Sequence, residues 1–473
     1  MFSSYILITV IAYFGLLFLI SRWTAKGATE NTFYKADKAS PWYLVAFGMI
    51  GASLSGVTFI SVPGWVNTSQ FTYMQMVMGY LVGYWVIAQV LMPLYYRLNL
   101  TTIYAYFQER IGERSHLTAS SFFILSRIIG ASFRLYLVVM VLQTFVFDAL
   151  GIPFWISTLT SIGLIWVYTF RGGIKTVVWT DTLQTAFMLI AVVVVIAMVL
   201  TKMDMSIGDA MTGISEMGNA RWFNLDSILE KSFFPRHLIS GALIAVVMTG
   251  MDQDMMQKNL TCRNIGEAKK NIFWFSISLF FVNIVFLFLG GLLYLYADQH
   301  GMDIPKGDQL FPLVAKDLGV VTALIFTLGV IAAAYSSADS ALTSLTTSFS
   351  LDILKMKEDQ PKKRYIIHAG FSLILFIAVV IFEAINDDSV IVKLFTVAGY
   401  TYGPILGLFS FSLMSKRAVK DQWVPYVAIF SVVVTFLIAQ IESDSIGGFK
   451  MGFELLLING ICTWSGLFAI SEK

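Results

Sequence analysis

Between Thr327 and Ser350 an apolar, membrane-length stretch turns into a run of hydroxyl side chains with one carboxylate, Asp339, in its middle. At about 100° per residue, Ser336, Asp339, Ser340, Thr343 and Thr347 fall on one helical face, with Ser337 and Ser344 at its edge. A stripe of hard oxygen ligands inside hydrocarbon is chemistry for a small hard cation. A second acid, Asp181, lies in FRGGIKTVVWTDTLQTAFMLI, about six residues into the apolar run at 176–202 and beside Thr180, Thr182 and Gln184. It could be a helix-start acid, stabilised by the N-terminal dipole and available to Lys175, but its depth weakens that account. Facing the hydroxyl stripe it would complete a cation cage, and this reading is preferred because intramembrane acids are costly unless used.

Backbone oxygens become available to an ion or solute only where a helix is interrupted, and two apolar stretches carry interruptions. The stretch at 42–66 contains FGMIGASLSGVTFISVPGW, crowded with Gly48, Gly51, Ser53, Ser55, Gly56, Thr58, Ser61, Pro63 and Gly64. The stretch at 236–257 runs into ISGALIAVVMTGMDQDMMQKN (239–259), with Thr249, Gly250, Asp252, Gln253 and Asp254 near one end. Each opens a block of five apolar stretches, 42–202 and 236–414. Matched interruptions in two blocks with an odd number of spans point to an inverted repeat, with binding sites near the midplane. Taken singly, either could equally reflect small residues permitting close helix packing.

The elements that must position these groups are transmembrane helices. Of 473 residues, 57% are hydrophobic and 13% charged, and the mean hydropathy is +0.74. Such a chain is an integral membrane protein. About thirteen apolar runs of spanning length recur, near 3–22, 42–66, 72–96, 118–148, 153–170, 176–202, 236–257, 271–297, 318–350, 365–384, 389–414, 423–441 and 451–470. Basic residues cluster after alternate runs, as in Arg22, Lys26, Arg97, Arg110, Arg171, Lys175, Arg263, Lys269, Lys362, Arg364, Lys416 and Arg417, whereas 67–71, 149–152 and 385–388 have no Lys or Arg. The positive-inside rule then places the N-terminus outside and the C-terminus in the cytoplasm.

The first run lacks a basic n-region and a small-residue cleavage site, so it reads as a retained helix. Cys262 falls in a cytoplasmic loop and Cys462 in the last span, predicting two free thiols. His116, His237, His300 and His368 are scattered and read as solvated or capping residues. The outer segment 203–235 predicts short interfacial helices with Trp222 and Phe223 at the headgroups. No nucleophile–base pair or metal motif for an enzyme stands out. No nucleic acid and no obligate protein partner is expected, and no signalling module follows the last span.

The segments FYKADKASPWYLVAFGMIGASLSG, FRGGIKTVVWTDTLQ, GMDQDMMQKNL and AAAYSSADSALTS resemble, in order and spacing, the hallmarks of the sodium:solute symporter family, which includes bacterial sugar, sialic acid and proline transporters. The resemblance implies an all-α integral membrane protein with a five-plus-five inverted-repeat, LeuT-like core, one extra helix before it and two after. On that basis 1–41 is the extra helix and loop, 42–202 the first repeat, 203–235 an extracellular connection, 236–414 the second repeat and 415–473 the C-terminal helices. It also implies the cell (inner) membrane as location and Na+ as the coupling ion.

Carried over by position, the main sodium site would use carbonyls of Gly51, Leu54 and Ala333 with the hydroxyls of Ser336 and Ser337. Members similar to the sialic acid transporters add a second sodium, here matching Asp181, Ser336, Asp339 and Ser340. The acid at 339 departs from them and would either tighten sodium or accept a proton. Solute-facing positions in the family match Ser53, Ser55, Thr58, Gln75, Arg134 and Asp252. The polar residue of sugar and sialate transporters on the second core helix matches Val77, and the arginine that grips sialate matches Gly130. Arg134, one turn further on, could reach a carboxylate or pair with Asp252 or Asp254; internal pairing is the expectation, since buried arginines usually have a partner. Tyr335, or Tyr400 and Tyr402 before Gly403-Pro404, could gate a sugar-like ring, and the Gly-Pro pair marks a hinge. The expected function is sodium-coupled import of a small polar organic solute, a sugar, sugar acid or relative, by alternating access. Proton coupling, an amino-acid or carboxylate solute, and a passive channel are the alternatives.

Overall fold

The computed structural model describes residues 2–304, 307–357, 360–385, 390–441 and 451–472. Each apolar run folds as a helix, since backbone polar groups in hydrocarbon must be satisfied within the segment. In chain order these are α1 (Phe2–Thr24), α2 (Trp42–Ser69), α3 (Tyr73–Arg97), α4 (Glu113–Leu142), α5 (Phe154–Thr169) and α6 (Gly173–Met203). After the outer helix α7 (Ile207–Glu216) come α8 (Phe234–Gly250), α9 (Gln253–Asn259) and α10 (Ile265–Gln299). The remainder are α11 (Gly307–Asp317), α12 (Val320–Ile353), α13 (Pro361–Ile385), α14 (Val390–Thr401), α15 (Gly403–Met414), α16 (Asp421–Ala439) and α17 (Leu455–Ala469).

Among the described residues nine helices are long and apolar enough to cross a membrane, two further spans are bent pairs, and α5 and α17 are shorter apolar helices. All fall on the expected stretches, with ends shifted by a few residues. One bent pair is α8–α9, broken by 69°, and the other is α14–α15, bent by 43° where Gly403-Pro404 follows Tyr402. Helix α2 is interrupted at Ser55, whose φ of 48° and ψ of 175° leave the helical region. Both anticipated broken helices are therefore present.

Helices α2, α6 and α12 pack against one another at the centre, and α10 packs against α2 and α6. Tyr426, Ile429, Phe430, Val433 and Phe436 of α16 are exposed, as a lipid-facing surface requires. Close approach is built from glycines: a Cβ at Gly241 of α8 would lie 2.1 Å from the Met76 carbonyl oxygen of α3, and one at Gly79 2.2 Å from that of Leu238.

Several loop-level expectations change. The segment 203–235 holds one helix, α7, and then irregular chain in which Trp222 packs edge-on against Phe71 at 5.2 Å. The loop at 385–388 lies almost wholly outside the described residues. Three histidines read as solvated or capping are buried instead. His116 contacts Asp352 at 2.8 Å, His368 lies between Thr169 and Thr346 at 2.9 and 2.8 Å, and His237 meets Gln75 at 3.2 Å. Each gains polar partners from distant helices, which a local sequence pattern does not contain. Cys262 and Cys462 are free thiols, as expected.

Candidate solute and cation site

The break in α2 faces a cavity at the centre of the bundle. Ser53, Leu54, Ser55 and Thr58 line it, together with Tyr80 and Tyr84 of α3, Arg127 and Arg134 of α4, Thr249 of α8 and Tyr402. Three of the expected solute-facing hydroxyl residues are thus on its wall. Gln75 is not: its amide donates to the Ser232 carbonyl at 2.9 Å and accepts from the Asn224 N–H at 3.0 Å, fastening the outer segment. Val77 and Gly130 likewise leave the polar lining to other positions, with Gly130 facing Leu394.

Two arginines seven residues apart on α4 divide the work. Arg127 is paired with Asp252 at 2.6 Å and with Asp254 at 2.8 Å, all three side chains being buried. Asp252 also caps α9 through the Met255 N–H at 3.1 Å and accepts a hydrogen bond from the Tyr402 hydroxyl. Its carboxylate is thus engaged by three groups, and Asp252 is not among the residues lining the cavity. The internal pairing expected of Arg134 belongs to Arg127. Arg134 is buried beside the cavity, and its Nε has no hydrogen-bond partner among the described residues.

The hydroxyl stripe of α12 is fully enclosed and lies against α2 and α6. Ser337 donates to the Ala52 carbonyl at 3.2 Å, so its hydroxyl meets the backbone just ahead of the α2 break. Gly51 lies against α6, its N–H donating to Thr185 Oγ1 at 3.1 Å. A Cβ at Gly51 would come 2.3 Å from that oxygen, which accounts for the glycine. Leu54 lines the cavity, and Ala333 is buried one turn before Ser336 and Ser337.

Ser336 donates to Asp181 Oδ1 at 2.6 Å, bringing together two residues of the expected second cation site. The other carboxylate oxygen, Oδ2, lies 2.7 Å from Lys258 Nζ on α9, with both side chains 1% exposed. Lys175, the partner considered from sequence, instead pairs with Asp37 at 3.6 Å. Asp339 accepts from the Tyr168 hydroxyl at 2.9 Å and from Thr180 at 3.4 Å, leaving Oδ1 without a partner among the described residues. Ser340 turns to Asp254. Of the four residues expected to share one ion, Asp181 and Ser336 are thus brought together, while Asp339 and Ser340 are drawn to other partners.

Tyr402 is on the cavity wall. Tyr335 packs edge-on against Phe14 of α1 at 4.9 Å, and Tyr400 lies 6.1 Å from Phe436 on the lipid-facing α16. Sequence reasoning missed Arg127 as the carboxylate partner and Lys258 altogether. The signal for Lys258 was present: a lysine directly following a span that carries two acids.

The sodium:solute symporter family matches residues 33–421. Sodium/sialic acid symporter NanT from Aliivibrio fischeri is 26% identical over 444 residues, 87% of this chain and 83% of that protein. Sodium/sialic acid symporter SiaT from Proteus mirabilis is 27% identical over 443 residues, 88% of this chain and 85% of that one. A solved outward-open, substrate-bound Na+-coupled sialic acid symporter aligns over 100% of this chain and 99% of its own with a TM-score of 0.83 at 20% identity. The nucleobase-cation-symport-1 transporter Mhp1 in a closed conformation aligns over 93% and 94% with a TM-score of 0.61 at 12% identity, a likeness of fold alone. The LeuT-like arrangement of broken helices, the enclosed hydroxyl stripe and the match over most of its length agree: this chain belongs to the sodium:solute symporter family.

Proposed function

We propose that the solute of this sodium-coupled symporter is a small organic acid of the sugar-acid kind, held in the central cavity with its carboxylate on Arg134. The observation that carries this reading is the state of Arg134: a buried guanidinium at the cavity with no ion-pair partner among the described residues. A buried cation is costly alone, and a bidentate carboxylate is its natural counter-ion. Ser53, Ser55, Thr58 and Thr249 supply hydroxyls for the polar body of the solute, and Tyr80, Tyr84 and Tyr402 supply rings. Two relatives are named for sialic acid, an acidic sugar, which is consistent with this chemistry.

The coupling sodium is placed between the carbonyls of Gly51, Leu54 and Ala333 and the hydroxyls of Ser336 and Ser337. Support comes from Ser337, whose hydroxyl already meets the backbone of the α2 break. Sodium needs several oxygens but little formal charge, and here it would tie the broken helix to α12 while the solute rests on the other side of the break. It thereby favours the solute-competent state, which is the condition for coupling. The blocks 42–202 and 236–414 would be the moving repeats, with the N-terminus outside and the C-terminus inside, an orientation supported by the alternating basic loops. Tyr402, linked to Asp252, is placed as a gating residue on the cavity wall.

The test is thermal unfolding of purified protein with N-acetylneuraminate, glucuronate, glucose, proline and lactate, each in sodium and in potassium. Stabilisation follows RT ln(1 + [L]/Kd), so the true solute raises Tm, more in sodium. Acidic sugars should stand out, and Arg134→Ala should abolish their effect without lowering the Tm of the ligand-free protein. A response to glucose or proline that survives Arg134→Ala would refute the acidic-solute reading.

A further inference from the structure

The centre of the protein encloses four carboxylates, Asp181, Asp252, Asp254 and Asp339, and three side-chain cations, Arg127, Arg134 and Lys258. Arg127 answers Asp252 and Asp254. Lys258 answers Asp181, on the oxygen that Ser336 does not use. It reaches there because the 69° break between α8 and α9 turns the short α9 inward, placing all of Gln253–Asn259 in the interior. A lysine that only marked the membrane boundary would extend its ammonium to water. This one is 1% exposed and sits on the acid that the hydroxyl stripe faces.

We propose that Lys258 acts as a built-in cation: its ammonium occupies the place a second sodium would take beside Asp181 and Ser336, so the transporter binds one sodium rather than two. An ammonium is a compact monovalent charge, and at 2.7 Å from Asp181 Oδ2 it holds the position beside that carboxylate which a cation would otherwise take. An ion there would require Lys258, 1% exposed, to move its charge away from Asp181 within the buried interior. The remaining ligands point the same way. Ser340 is engaged with Asp254 and Asp339 is held by Tyr168, so neither is gathered around a common centre with Asp181.

This inference rests on the sodium reading of the main site, and the experiment separates the two. Equilibrium binding of 22Na+ alone is measured on purified, monodisperse wild type, Lys258→Ala, Lys258→Arg and Ser337→Ala. Wild type and Lys258→Arg should each bind one ion per chain at saturation, and Lys258→Ala should bind two, because removing the ammonium leaves a vacant anionic pocket. Two ions on wild type would overturn the inference outright, even if Lys258→Ala fails to fold. An unchanged count on folded Lys258→Ala would also overturn it. Ser337→Ala tests the main site separately: undiminished sodium binding there would sink that assignment, whereas the gain on removing Lys258 still decides the lysine.

Discussion

Arg127 of α4, which lines the central cavity, and Asp252 at the α8–α9 break lie 2.6 Å apart, and the Tyr402 hydroxyl hydrogen-bonds to the same carboxylate. One ion pair thus ties α4 to the broken span α8–α9. Breaking such a pair from one side strands a buried charge, at a cost of about 3–5 kcal/mol. Arg127→Ala should therefore lower stability by that order and abolish transport, and Arg127→Lys should recover part of each. Equal Tm values for wild type and Arg127→Ala would refute the structural role.

Asp181 and Lys258 should behave as a thermodynamic unit. Asp181→Ala or Lys258→Ala alone leaves an uncompensated charge in the interior, whereas the double variant leaves none. A double-mutant cycle in thermal or denaturant unfolding should show coupling of about 1–3 kcal/mol, with the double variant less destabilised than the sum of the singles. Strict additivity would show that the 2.7 Å contact contributes nothing.

The seam between α3 and α8 should tolerate no added methyl. At Gly241 a Cβ would meet the Met76 carbonyl oxygen at 2.1 Å, a backbone atom that has no rotamer to change. Gly241→Ala should lower stability by about 1–3 kcal/mol and reduce uptake, while Gly163→Ala, with nothing within 4 Å of the added Cβ, should be close to neutral. Indistinguishable unfolding curves for the two variants would contradict the close packing.

Cys262 lies in the loop between α9 and α10, and burial, with Glu267 nearby, pushes its thiol up to about 12. A raised value keeps the thiol protonated through neutral and mildly alkaline pH, so the reactive thiolate is scarce. In a Cys462→Ser background, maleimide labelling of the folded protein at pH 8 should be roughly a thousand-fold slower than after unfolding in detergent. Rapid labelling of the folded state would show that the loop opens.

Hydropathy, interruption and charge placement are legible along the chain because a bilayer imposes them locally. Every span must satisfy its own backbone, every break needs Gly, Ser or Pro, and every acid in hydrocarbon stands out. Hence the helical stretches, the broken α2 and α8–α9, the bend at Gly403-Pro404 and the oxygen stripe of α12 can all be read from the order of the residues alone. The partners of the buried charges cannot. Arg127 and Arg134 are two helical turns apart on one face of α4, so periodicity gives both the same direction. Only the depth at which the α8–α9 break lies against α4 gives Asp252 and Asp254 to Arg127 and leaves Arg134 to the cavity. In the same way, Lys258 meets Asp181 across a separation of 77 positions because α9 turns inward. Charge pairing in the interior is a property of helices brought together, and no single helix encodes it.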